Sequence, residues 1–241
     1  MKWLRTLVLF DCGGLMSSPD WASIHASYVR AIQQIDFPVG AGTLTLRKKV
    51  KRPDGQSERN GVGYLRRRFL KFIVEVEGWE SEADVDLARD RRQPDIRLYP
   101  SLETYQEPIT SNFGDFDLVT TAAGGTRVAI EWETGNISSS HRSLNKLAIA
   151  LASGKIQVGV LIVPSRQTYV HLTDRIGNIG ELSAYLELWE SLKVSVPRGL
   201  LAISVVEHDE LTDSDTFPYL PSGKDGRAKQ GRSKRKRAKR K

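Results

Sequence analysis

Apolar residues recur along the chain with two different spacings. Intervals of three and four residues predict amphipathic helices over 20–35, 64–77, 136–152 and 182–192. Alternating or continuous apolar runs predict strands over 44–46, 113–121, 126–134, 156–163 and 200–206. The short link 122–125 favours an antiparallel hairpin between the second and third of these strands. The order hairpin, helix, strand, helix, strand predicts an α/β fold, in which helices flank both faces of a central mixed β-sheet.

Charge is distributed unevenly along the 241 residues, which are 39% hydrophobic and 27% charged, as in one globular domain. The formal net charge is +7. Residues 223–241 carry 11 Lys or Arg and one acid, so this tail is +10 and the remaining chain is −3. A cationic tail suggests a polyanionic partner, such as nucleic acid or an anionic membrane. A solvated, solubilising end is equally compatible with the charge.

The single cysteine, Cys12, excludes an internal disulfide framework and a cysteine-rich zinc site, and it suits a reducing cytosol. The apolar run 7–10 ends at Asp11, which is too early for a secretory signal. Later apolar runs fall far short of the roughly 20 residues that cross a bilayer. We therefore expect a soluble, cytoplasmic protein with no membrane partner. The expected organisation is an N-terminal extension (1–19), one domain (20–222) and a basic C-terminal arm and tail (223–241).

Three carboxylates on the predicted hairpin could meet on one face. Asp117 lies on the first strand, and Glu131 and Glu133 lie on the second at positions i and i+2. Clustered carboxylates repel one another unless a cation neutralises them, and Mg²⁺ prefers oxygen ligands. Such a site supports phosphodiester hydrolysis. Alternating glutamates more often mark a solvated face, but this strand is apolar enough to be buried, where unpaired carboxylates are costly. Asp115 is a competing ligand.

The residues from Glu131 to Leu147, EWETGNISSSHRSLNKL, closely resemble the signature of the BamHI/BglII group of type II restriction endonucleases. The other matching segments are, in the expected order, 60–62 with Arg66, Trp79 with Glu82, 172–175 and 220–226. The resemblance covers about residues 20–226 and is strongest from about 117 to 188.

This group belongs to the PD-(D/E)xK nucleases, which place one acid on a strand and D/E-x-K on the next. The resemblance implies that Asp117 and Glu131 bind Mg²⁺ and that Glu133 stands where most relatives have Lys. A carboxylate there could act as a general base or hold the attacking water, whereas Lys would contribute charge. Glu82 matches an additional acidic metal ligand, although the segment that follows it is longer here. The short spacing from Asp117 to Glu131 leaves an exchange with Asp115 open.

The resemblance also implies which residues read DNA in the major groove. They are Asn136, Ser138 and Arg142 at the start of the long helix, and Asp174 and Arg175 on a loop. Arg can bind guanine O6/N7, Asp can accept from cytosine N4, and Asn can pair with an adenine edge. Singly, each has a plainer explanation as a helix cap, a surface charge or a local ion pair. Together they indicate GGATCC, or a GATC-centred relative, as the recognised sequence.

Further DNA contacts are implied at the ends of the similarity. Arg66 matches a DNA contact, and Gly223, Lys224 and Gly226 match a C-terminal arm that approaches the minor groove. The Lys- and Arg-rich extension beyond this arm has no counterpart in the group. Its cations would contact phosphates without reading sequence.

The sequence therefore predicts a homodimeric, Mg²⁺-dependent type II restriction endonuclease, because a two-fold dimer matches a palindromic site. The helix over 136–152 is expected at the dimer contact. A cognate DNA methyltransferase would protect the host genome and is a functional partner. The alternatives are a DNA-binding protein on the same scaffold that no longer cuts, and a repair or recombination nuclease that cuts by structure.

Overall fold

The structure, a computed structural model, describes residues 1–51, 57–87, 96–105, 113–173 and 176–221. The helices in these ranges are α1 (Pro19–Gln33), α2 (Val62–Glu75), α3 (Ile137–Ala152), α4 (Arg166–Tyr169), α5 (Ile179–Leu182) and α6 (Leu186–Ser191). The strands are β1 (Lys2–Cys12), β2 (Thr45–Arg47), β3 (Val50–Lys51), β4 (Ser57–Glu58), β5 (Glu80–Ala83), β6 (Phe116–Thr121), β7 (Arg127–Trp132), β8 (Val158–Pro164), β9 (Gly199–Glu207) and β10 (Glu210–Thr212).

Six of the described strands form a central mixed sheet in the order β1-β9-β8-β7-β6-β5. The neighbours β5, β6 and β7 pair antiparallel, β7, β8 and β9 pair parallel, and β1 returns antiparallel to β9. Every residue of β8 is buried, because helices cover both faces of the parallel centre. The predicted hairpin over 113–134 is present as β6 and β7.

Helices pack on both faces of this sheet. On one face, Tyr28 of α1 and Phe69 of α2 are fully buried against Ile130 and Val160. On the other face, Leu147 of α3 and Trp189 of α6 are packed over the sheet. The predicted α/β fold, with helices flanking a mixed sheet, is confirmed.

Residues 2–12, which the sequence placed in an extension before the domain, form an edge strand of the central sheet. β1 pairs with β9 from Lys2↔Glu207 to Cys12↔Gly199. Register shifts between Trp3 and Arg5 and between Val8 and Phe10 interrupt the strand. Because such irregularities break the two-residue alternation of side chains, the strand lacks the usual sequence signal.

The helix predicted over 182–192 is split. α5 ends at Leu182, a 3₁₀ turn follows over Ser183–Tyr185, and α6 begins at Leu186. The Ser183 hydroxyl donates to the Ile179 carbonyl oxygen at 2.7 Å, a side-chain contact that competes with regular helix bonding. Within the described ranges, every helix is too short or too polar to cross a membrane.

Candidate functional site

Asp117 and Glu131 lie on the neighbouring strands β6 and β7 of the central sheet, and Glu133 follows the end of β7. Leu118 pairs with Ile130, and the antiparallel register therefore carries Asp117 opposite Glu131. The amide of Trp132 donates to Asp117 Oδ2 at 2.8 Å, which ties the two strands at this point. Glu133 follows β7, and its amide donates to the Ile162 carbonyl oxygen at 3.0 Å. The strand geometry thus brings the three predicted residues to one region of the sheet.

Two of these carboxyl groups are buried and hold their protons unusually tightly. Glu131 is 8% exposed and Glu133 is 4% exposed. Burial raises the pKa of Glu131 to about 7; the charge of Asp117 adds to this increase and that of Lys146 opposes it. Burial also raises the pKa of Glu133 to about 7, against the lowering effects of the Ser140 hydroxyl and the Gly135 amide. The site therefore gathers carboxylates where burial disfavours the ionised form of two of them.

Two cations neutralise the cluster. Arg66, on α2, donates to Asp117 Oδ1 at 2.6 Å. Lys146, on α3, forms a buried ion pair with Glu131 and donates to the Asp115 carbonyl oxygen at 2.9 Å. Its ammonium nitrogen also lies 4.2 Å from the centre of the Phe116 ring. Arg66 is therefore bound to a carboxylate in this structure, and its predicted contact with DNA stays a prediction.

Lys146 is a site residue that the sequence-based reasoning missed. A signal was available, because Lys146 falls between Leu144 and Leu147 on the apolar side of the predicted helix. A charged residue is almost never buried unless it is paired. The pattern therefore called for an acidic partner, and the structure identifies that partner as Glu131.

The donor set suits a hard divalent cation, since carboxylate oxygens are what Mg²⁺ prefers. Glu133 Oε2 and the Ser140 hydroxyl are both buried, and the interaction between these two side chains lowers the pKa of Glu133 against the effect of burial. No group of three acidic, His or Cys side chains within the described ranges is gathered tightly enough to hold a metal as it stands. A metal at this site must share or displace the contacts that Arg66 and Lys146 make.

The two other candidate ligands differ in position. Ser81 pairs with Leu118 and Ala83 with Phe116, so the register carries Glu82 beside Asp117. Glu82 is exposed and has a φ of 52°, in the left-handed region that few side chains adopt. Asp115 precedes β6 and its side chain is exposed. The residue opposite Glu131 is therefore Asp117, not Asp115.

The N-terminus of α3 presents the predicted DNA-reading side chains to solvent. Asn136, Ser138 and Arg142 are exposed, and Ser138 and Arg142 lie four residues apart on one side of the helix. Asn136 is also the helix cap, since its Oδ1 accepts from the Ser139 amide at 3.2 Å. Ile176 forms a bridge with Asn136, so the loop returns beside this helix end. The other predicted DNA contacts, Asp174, Arg175, Gly223, Lys224 and Gly226, lie outside the described residues.

Comparison with known proteins decides the family. A family model described as "Restriction endonuclease BamHI" matches residues 1–227. The chain belongs to the BamHI restriction endonuclease family. The match includes residues 1–19, in agreement with the place of β1 in the sheet of this BamHI-family protein.

Two curated relatives of this BamHI-family chain are type II restriction enzymes. OkrAI from Oceanobacter kriegii is 46% identical over 228 residues, which cover 95% of this chain and 99% of the relative. BamHI from Bacillus amyloliquefaciens is 40% identical over 171 residues, which cover 71% and 69% of the two chains. A solved structure, restriction endonuclease BglII complexed with a DNA 16-mer, has a TM-score of 0.49 and 10% identity, and covers 86% of this chain and 79% of that one.

Family membership confirms the sequence-based identification and the enzyme class. The BamHI-family protein is a type II restriction endonuclease, a site-specific deoxyribonuclease with DNA as its substrate. Enzymes of this type generally need a divalent metal ion, in agreement with the oxygen-rich donor set of the site.

Proposed function

We propose that the protein is a homodimer that uses Mg²⁺ to cut both strands of DNA at GGATCC or a GATC-centred relative. The observation that carries this proposal is the cluster of Asp117 with the buried Glu131 and Glu133 next to the exposed start of α3. Glu133 precedes the helix cap by only three residues. A base pair read by the helix would therefore lie close to the phosphate held at the carboxylates.

Asp117 and Glu131 would hold the metal, and Glu82 is placed to add a third carboxylate. When bound, Mg²⁺ would stabilise the negative charge that develops on the scissile phosphate. Glu133 is the general base: it accepts a proton from the attacking water as the new P–O bond forms and the leaving oxygen departs. Its pKa of about 7 suits this role near neutral pH, where it can accept a proton and release it.

Lys146 and Arg66 would hold the carboxylates in place before the metal binds. Each pairs with one proposed ligand, Glu131 or Asp117. Removing one partner of a buried pair leaves an uncompensated charge, so these cations keep the cluster compatible with the fold. Lys146 also supplies positive charge beside the proposed Mg²⁺ ligands, which most PD-(D/E)xK relatives obtain from the residue at the position of Glu133.

Sequence recognition is assigned to Asn136, Ser138 and Arg142, with Asp174 and Arg175 on the neighbouring loop. The side-chain types match direct major-groove readout of guanine, cytosine and adenine. Arg66 is assigned to the ion pair with Asp117 in the catalytic cluster, and it can contact DNA only if that ion pair breaks. Gly223, Lys224 and Gly226 are assigned to the minor-groove arm by family resemblance alone.

An apolar cavity beside α3 supports the proposed dimer. The cavity has a volume of about 350 Å³, and its lining includes Ala148, Ile149 and Val196. Near it along the chain, Leu188 is 59% exposed and Val194 is 86% exposed. A second copy related by a two-fold axis would cover these side chains and present two active sites to a palindrome. The enzyme would act in the cytoplasm, where a cognate DNA methyltransferase protects the host genome.

The proposal is tested by incubating plasmid DNA and Mg²⁺ with the wild-type protein and with Glu131→Ala. Wild type should give discrete fragments whose sequenced ends share one palindrome. Glu131→Ala should still bind the site but lose cleavage by at least about 1,000-fold, because a metal ligand is gone. Intact cleavage by the variant would contradict the metal assignment. Retarded but uncut DNA with wild type would support a binding protein, and random ends would support a repair nuclease.

A further inference from the structure

Asn60 is a fully buried polar residue at a place where four separate parts of the chain meet. It lies two residues before α2 and forms a bridge with Leu172. We call its surroundings the Asn60 junction: Arg47 at the end of β2, Asn60 itself, the segment 171–173, and Leu220 near the end of the described chain. The nuclease chemistry proposed above does not use this residue.

The side chain of Asn60 forms one hydrogen bond with each of the other three parts of the junction. Nδ2 donates to the carbonyl oxygens of Arg47 at 2.8 Å and His171 at 3.0 Å. Oδ1 accepts from the Leu220 amide at 3.1 Å. Both amide protons and the amide oxygen of this fully buried side chain are therefore used. A side chain of another type loses at least one of these three hydrogen bonds.

Backbone contacts extend the junction to the start of α2. The Asn60 amide donates to the His171 carbonyl oxygen at 3.0 Å, and the Thr173 amide donates to the Asn60 carbonyl oxygen at 2.6 Å. The Gly61 amide donates to the Leu220 carbonyl oxygen at 3.0 Å, and the Val62 amide donates to Thr173 Oγ1 at 3.3 Å. Thr173 thus bonds one of the N-terminal amides of α2 that have no partner within the helix.

The segments that meet here lead directly to the proposed DNA contacts. Thr173 is followed by Asp174 and Arg175, and Leu220 precedes the arm that starts at Gly223. α2 carries Arg66 to Asp117 in the active site. The buried side-chain amide of Asn60 therefore lies just before the helix that carries Arg66, and it bonds His171 and Leu220, which precede the proposed reading loop and terminal arm in the sequence.

We propose that Asn60 is a specificity-positioning residue: it touches no DNA, and it orients segment 171–173 and Leu220 so that the residues beyond them can read the site. This inference rests on the proposed function. Errors in orientation of this kind weaken contacts at the correct sequence more than contacts to phosphates shared by all sequences. Loss of Asn60 should therefore reduce discrimination between sites.

Two substitutions separate the roles of the amide. Asn60→Asp keeps an acceptor for the Leu220 amide but loses both donated protons and places a carboxylate against the Arg47 and His171 carbonyl oxygens. Asn60→Ala loses all three bonds. Tyr28→Phe is the matched control, because Tyr28 is also fully buried and its hydroxyl lies 3.0 Å from Oγ1 of Thr6, which is not one of the junction residues.

The first measurement compares kcat/KM at the site that wild type cuts with kcat/KM at duplexes carrying one changed base pair. All proteins are assayed well below their Tm. Asn60→Asp should lower the ratio at least about 10-fold, whereas Tyr28→Phe should leave it within about twofold. A merely structural role would lower the amount of folded enzyme and leave the ratio unchanged, which would overturn the proposal.

The second measurement is amide hydrogen exchange of the proteins without DNA. Exchange at Thr173 should rise in Asn60→Asp while exchange at Leu220 stays near the wild-type rate; in Asn60→Ala both should rise. Unchanged exchange at Thr173 in both variants would overturn the assignment of Asn60. A wild-type protein that cuts no DNA would instead overturn the proposed function, and the exchange rates would still decide whether Asn60 holds the two segments.

Discussion

Glu133 differs from its two acidic neighbours in that no basic side chain is paired with it among the described residues. Asp117 pairs with Arg66 and Glu131 pairs with Lys146, whereas Glu133 accepts a hydrogen bond from the Gly135 amide. The two-residue spacing predicts that Glu131 and Glu133 share a face of one strand; in the structure β7 ends at Trp132 and Glu133 follows it. The pairing of Lys146 with Glu131 was not predictable, because it depends on how α3 crosses the sheet.

Replacing Glu133 by Gln should stabilise the metal-free protein at pH 8 and abolish cleavage. The folded state keeps the Glu133 proton up to about pH 7, whereas the unfolded chain releases it near pH 4.5. The stability that protonated Glu133 contributes is therefore present below pH 4.5 and lost as the pH rises through about 7.

Gln stays neutral and can still accept a hydrogen bond from the Gly135 amide. In thermal melts, the Tm of the variant should match wild type near pH 4.5 and exceed it by a few degrees at pH 8, given about 2–4 °C for each kcal/mol. An equal difference at both pH values would contradict the buried charge as its cause.

Among the elements, α3 serves three purposes along its length. Its first two turns carry Ser138 and Arg142, its middle supplies Lys146 to the carboxylates, and its last turns line the apolar cavity at Ile149. The sequence predicted the bounds of this helix within one residue, because Asn136 caps it and the apolar spacing is regular. β1 was missed as a strand because its register shifts break the alternation.

Ile149→Glu should convert the proposed dimer to a monomer, since it places a charge in a cavity that a second copy would cover. Light scattering after size-exclusion chromatography measures the mass directly. As the dimer is lost, the fraction of binding events in which both strands are cut should fall, and nicked plasmid should accumulate. Val39→Glu is the control, because Val39 is 68% exposed on a loop away from α3 and the charge there stays in water. A dimeric Ile149→Glu protein would place the dimer contact elsewhere.

At the scale of the whole molecule, the formal charge of +7 divides into a body of −3 and a tail of +10. The family match ends at residue 227, so most of the tail lies beyond the part shared with the family. Specific recognition is assigned to a few side chains on an acidic body. We propose that the tail adds a general attraction for phosphate that does not depend on sequence.

Deleting residues 228–241, which lie beyond the family match and the proposed minor-groove arm, should therefore weaken DNA binding and its dependence on salt without changing the site that is cut. Each neutralised phosphate contributes about 0.9 to the slope of log K against log salt, so the slope should shrink by at least about 2 if two or more phosphates are involved. Fluorescence anisotropy over a range of salt concentrations measures this slope. A tail of the same length with Gln in place of Lys and Arg separates charge from length. A changed cleavage site in that Gln variant would show that the tail reads sequence.

The sequence alone determined the family, the hairpin with its three carboxylates and the helix that follows, because each depends on local spacing or on a continuous run of residues. Tertiary structure decided which cations neutralise Asp117 and Glu131, that residues 2–12 belong to the sheet, and that Asn60 joins Arg47, His171 and Leu220. These contacts join residues far apart in the chain. They form only when strands and helices pack, so a local pattern can indicate that a buried group such as Lys146 needs a partner but not which distant residue supplies it.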